Sequence, residues 1–69
     1  MKYDQKAWEI FDIKHDRPEP PPTGILCKDL DDVAAAIYGG QFTAYKIRTT
    51  YFDTEKMQWV PGPVVKEVP

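Results

Sequence analysis

Few side chains in this chain have chemistry to offer, and they are widely spaced. His15 is the single histidine and Cys27 the single cysteine; three aspartates, Asp29, Asp31 and Asp32, crowd together just after the cysteine. A histidine acting as a general base needs a carboxylate to orient it and a nucleophile or bound water within reach. Asp12 and Asp16 are near His15 in sequence, but a histidine at a strand end beside prolines reads as exposed rather than catalytic. Cys27 stands at a helix entrance, where the dipole lowers a thiol pKa. The apolar Ile25 and Leu26 before it point instead to a buried structural thiol. The D-x-D-D run lacks the following glycine and distant glutamate of a calcium loop, and no Cys/His spacing resembles a zinc site. These residues therefore predict no enzyme, no metal and no cofactor. A chain of 69 residues is also too short to wall off a pocket of roughly 300 Å³ and still keep a core.

Binding chemistry is better represented. In the run Phe42–Phe52, side chains alternate, so Lys46, Arg48, Thr50 and Phe52 share one face. If the first strand lies alongside, Trp8, Ile10 and Lys14 are expected to join them. Arginine and aromatic side chains bury much area with few rotors to freeze, which suits a protein interface. The same mixture on an open sheet also stacks bases while cations hold phosphates. The bland alternative is that the N-terminal segment or the tail around Val64 and Val65 folds across this face as a second small core. A further candidate is the acidic helix start, Asp31 and Asp32 with Glu19 before it, facing a basic partner. The expected partner-binding set is Lys46, Arg48, Thr50, Phe52, Trp8, Asp31 and Asp32.

The elements that must position these residues follow from periodicity and punctuation. The organising feature is a hairpin over Phe42–Val60, with strand formers in both arms and Asp53-Thr54-Glu55-Lys56 as turn chemistry between them. An aspartate at the first turn position bonds its own backbone two residues on. Tyr45, Ile47 and Tyr51 give one face of the first arm its apolar weight and assign it to the core, with Met57 and Trp59 as partners from the second arm. A bulge near Thr49 and Thr50 is the feature that would exchange the two faces. Ala7–His15 is a first strand, with Phe11, Ile13 and His15 on one side and Trp8, Ile10, Asp12 and Lys14 on the other.

Residues 1–6 read as a frayed N-terminus and residues 16–24, with four prolines, as a stiff connector. Ile25-Leu26-Cys27 either pairs briefly with the sheet or packs under the helix. Asp29 then caps a helix of about ten residues, with Asp31 and Asp32 in the first turn where the dipole favours negative charge. Leu30, Val33, Ala34, Ile37 and Tyr38 fall on its apolar face, and Gly39-Gly40 supplies a left-handed stop. Pro61 and Pro63 end the second arm, leaving residues 64–69 as an edge strand or a tail. The expected fold is one α+β two-layer domain over residues 1–69, in β-α-β-β order. One helix packs on a mainly antiparallel sheet of three strands, with a fourth as the alternative.

Composition bounds the function. The formal net charge is −2, which weighs against general affinity for nucleic acid. A charged N-terminus without an apolar signal core, a lone cysteine and no run near 20 apolar residues predict a cytoplasmic protein without a membrane span. The sequence reading is a small stand-alone protein-binding module, acting as an inhibitor, adaptor or assembly factor on another protein's surface. Its style is that of phage and mobile-element accessory proteins. The alternatives are a nucleic-acid-associated regulator using the open sheet face and a structural subunit that forms a homodimer. Trp59, taken as core, should cost about 3–5 kcal/mol when truncated to alanine.

Overall fold

A computed structural model describes residues 3–69, with side chains described from residue 5 onward. It contains β1 (Tyr3–His15), β2 (Gly24–Cys27), α1 (Leu30–Gly40), β3 (Phe42–Asp53) and β4 (Gln58–Val68). The strands form one antiparallel sheet in the order β2-β1-β3-β4, with α1 on one face. This is the expected α+β domain, but in β-β-α-β-β rather than β-α-β-β order: the fourth strand precedes the helix, and residues 64–68, the expected edge strand or tail, continue β4. Ile25-Leu26-Cys27 supplies that strand, pairing with β1 through Ile25–Ile10, Leu26–Glu9 and Cys27–Trp8.

β1 pairs with the central β3, and a single residue decides what it buries. From Lys6–Tyr51 to Phe11–Lys46 the register is unbroken, so Trp8 and Ile10 share a face with Thr49 and Ile47. That is the helix side: Ile10, Ile13, Cys27, Val33 and Ile47 form the core, with Trp8 packed against it. Strict alternation cannot put Ile10 and Ile13 on one face. Asp12 resolves this by adopting φ 55° as the extra residue of a bulge between Phe11 and Lys14, after which Ile13 turns inward. The expectation that Trp8 and Ile10 lie opposite the helix, beside Arg48, is therefore corrected. A second irregularity, between Lys14–Ala44 and His15–Phe42, returns Phe42 to the helix side, away from the face it was expected to share with Lys46.

Several boundaries also differ from expectation. The segment expected to fray is paired from Tyr3 onward, while residues 1 and 2 lie outside the described residues. Pro61 and Pro63 do not end β4, which runs on to Val68. An edge strand needs only one row of N–H groups, and the register slips between Thr50–Pro61 and Arg48–Val64, so the prolines sit where the ladder is already interrupted. Gly62 lies at that interruption. A Cβ there would collide with the Thr49 hydroxyl and crowd Tyr51.

The helix begins as the sequence requires. Asp29 is extended and its carboxylate accepts the Asp32 N–H at 2.8 Å. It ends one residue later than the glycine pair suggests, because Gln41, at φ 54°, takes the left-handed position while both glycines stay helical. Gly40 is needed for clearance, since a Cβ there would strike the Phe42 ring. Val33, Ala36 and Ile37 face the core, whereas Leu30 and Tyr38, expected to pack inward, are 58% and 88% exposed. No described helix is long and apolar enough to cross a membrane.

Candidate partner-binding face

The face of the sheet opposite α1 is built from alternate residues of all four strands. Cross-strand pairing places Leu26, Glu9, Arg48 and Val64 in one row across it, Phe11 with Lys46 and Glu67 in a second, and Phe52 with Trp59 near the turn. Among the described residues no strand or helix crosses this face, because Val64 and Val65 continue β4 in the plane of the sheet.

Its charges are paired within the face. Arg48 Nε donates to Glu9 Oε1 at 2.5 Å, and the guanidinium lies 4.2 Å from the centre of the Phe11 ring. The Arg48 and Glu9 side chains keep only 30% and 24% of their exposure, so this pair is partly withdrawn from water. Lys46 sits between Asp12 at 3.0 Å and Glu67 at 3.3 Å. Its hydrogen bonds to Asp12 and Glu67 push its pKa above the ordinary lysine value, and the charges of the same carboxylates act in the same direction.

The apolar part lies toward the hairpin turn. Phe52 and Trp59 pack edge to face with centroids 5.3 Å apart. Trp59, expected in the core with Met57, is instead on this face at 37% exposure. Met57 is in the turn at φ 54° and 72% exposed. Asp53 holds that turn, its Oδ1 accepting the Glu55 N–H at 2.9 Å and the Lys56 N–H at 3.3 Å. This is the Asx turn the sequence implied.

Of the expected set, Lys46, Arg48 and Phe52 are brought together on this face. Thr50 shares it, but is buried and donates its hydroxyl to the Val60 carbonyl at 3.1 Å. Trp8 is on the other face, with Lys6 Nζ 4.9 Å from its ring centre. Asp31 and Asp32 lie in the first turn of α1, also on the other side. Sequence reasoning missed Glu9, Asp12 and Glu67 as the partners of the cations, and Phe11, Leu26, Trp59 and Val64 as apolar neighbours. Only the registers of β1 and β4 against β3, and of β2 against β1, reveal them; the sequence signal was the parity of Glu9 and Phe11.

The remaining titratable groups stand apart. The His15 Nδ1 accepts the Arg17 N–H at 3.1 Å, and Arg17 reaches the Gly39 carbonyl at the helix C-terminus. Cys27 is buried; burial first, then the charges of Asp32 and Asp29, push its thiol pKa up from the ordinary 9.0. Among the described residues no three of His, Cys, Asp and Glu are grouped to hold a metal. No family model, curated protein or solved structure matches the chain.

Proposed function

We propose that this chain is a small protein-binding module that seats a partner protein on its uncovered sheet face, as an inhibitor, adaptor or assembly factor. The observation that carries the proposal is that face itself. It presents Phe11, Phe52 and Trp59, with half-exposed Leu26 and Val64, around an Arg48–Glu9 pair already partly withdrawn from water. A partner docking there meets aromatic area on a rigid strand scaffold, the usual make-up of a binding hot spot. It also meets a cation whose charge is compensated, so the desolvation cost of covering it is reduced.

The pairing weighs against the nucleic-acid alternative. Phosphate binding draws on lysines and arginines free to displace counterions. Here Lys46 already holds two carboxylates and Arg48 a third. A binding rather than catalytic role agrees with Cys27, whose raised pKa disfavours the reactive thiolate.

The test is capture of partners by the tagged protein from host lysate, with and without nuclease, compared with a Trp59→Ala, Val64→Asp variant. Both residues are exposed, so the circular dichroism should be unchanged. A protein that survives nuclease and is lost with the variant supports the proposal. Nuclease-sensitive recovery would overturn it in favour of nucleic acid, and capture indifferent to the variant would put the interface elsewhere.

A further inference from the structure

The helix side of the sheet is only half covered. A helix is about 10 Å across and strands lie about 4.8 Å apart, so one helix shields two strands of a four-stranded sheet. α1 rests over β1 and β2. Beside it, over β3 and β4, is an open groove of 420 Å³ lined by Leu30, Ala34 and Tyr38 of the helix and Tyr45, Ile47 and Lys66 of the sheet. Leu30, Ala34 and Tyr38 follow at i, i+4 and i+8, forming an exposed apolar stripe along one wall of the groove that no other described element covers.

We infer that a second copy of this chain occupies the groove, the two packing helix side to helix side about a two-fold axis. Each copy lacks one helix over β3 and β4, and each offers one helix with an unsatisfied stripe beside that gap. A two-fold arrangement meets both needs at once, which an isologous interface requires. α1 of one copy lies in the groove of the other, and the stripes meet with the small Ala34 near their centre. Charge agrees. Asp31 borders the stripe on the helix, Lys66 lines the groove on the sheet, and among the described residues neither has an ion-pair partner. The two-fold axis gives each Asp31 a Lys66 of the other copy.

The experiment is sedimentation velocity over a concentration series, with circular dichroism on every variant. The expected result is a monomer–dimer equilibrium with a dissociation constant at or below about 100 µM. Leu30→Glu, at an exposed position of the monomer, should leave the fold intact and weaken association at least about tenfold by burying an unpaired carboxylate. Asp31→Lys should weaken it about threefold to tenfold, and adding Lys66→Asp in the same chain should restore it. A monomer mass at every concentration up to about 1 mM overturns the inference. So does a dimer that ignores Leu30→Glu, or a double exchange that fails to restore. Trp59→Ala with Val64→Asp, on the opposite face, should leave the dimer intact, so this inference and the proposed function fail separately.

Discussion

Replacing Arg48 separates a structural charge from a binding one. Arg48 faces Glu9 directly across β1 and β3, bonds it at 2.5 Å and lies over Phe11 at 4.2 Å. Exposed ion pairs contribute about 0.2–1 kcal/mol. With side-chain exposures of 30% and 24%, this one should lie at or just above the top of that range, about 1 kcal/mol. The stacking on Phe11 adds about 0.5–1 kcal/mol. Arg48→Ala should therefore cost about 2 kcal/mol. Arg48→Glu should cost more, because it sets two carboxylates opposite one another on neighbouring strands. The assay is urea unfolding followed by tryptophan fluorescence on wild type, Arg48→Ala, Glu9→Ala and the double variant. A coupling near 1 kcal/mol is expected from that cycle. A coupling below about 0.3 kcal/mol, or equal stability of Arg48→Glu and Arg48→Ala, would refute the reasoning. One consequence is practical: Arg48→Glu is a poor probe of partner binding, because a loss of capture would be mixed with a loss of fold.

Three other outcomes are expected. Trp59→Ala, at a position that retains 37% of its exposure and packs mainly on Phe52, should cost about 1–2 kcal/mol in urea unfolding rather than a core tryptophan's penalty. Met57→Gly should raise the thermal midpoint, since Met57 is exposed and holds φ 54°, and relieving that conformation is worth up to about 1 kcal/mol. Cys27 should resist iodoacetamide at neutral pH and react at full rate only in urea. Its folded pKa lies above the unfolded value of 9.0, so the unfolded chain loses its proton first. Stability from this group is complete below pH 9.0 and falls as the pH rises beyond it, a decline that Cys27→Ala should lessen.

Local chemistry was readable from the chain alone. Asp29 as N-cap, Asp53 as the head of the turn, the helix between them and the alternation of β3 through Lys46, Arg48, Thr50 and Phe52 each depend on residues within a few positions. The inward face of Tyr45 and Ile47 followed from the same short-range pattern. What failed depended on a neighbour distant in sequence. A single left-handed residue, Asp12, reverses the parity of β1 and brings Ile10 and Ile13 to one face, and an aspartate in a strand gives no warning of that. Trp59 looked like core because tryptophan usually is, but its cross-strand partner is Phe52, and Phe52 faces away from the helix.

The candidate face divides along the same line. Its cations were visible as a β3 stripe, because a strand's period is fixed by backbone geometry. Their neutralisation by Glu9, Asp12 and Glu67 was not, because those carboxylates arrive on β1 and β4 at registers that only the assembled sheet sets. The width of the sheet was likewise a tertiary outcome. Ile25-Leu26-Cys27 had enough apolar character to pair or to pack, and pairing with β1 drew α1 toward that edge. Sequence determined the helix and its cap, the hairpin turn and the alternation of β3; tertiary structure decided the faces of β1, which faces met, and so which half of the sheet remained bare.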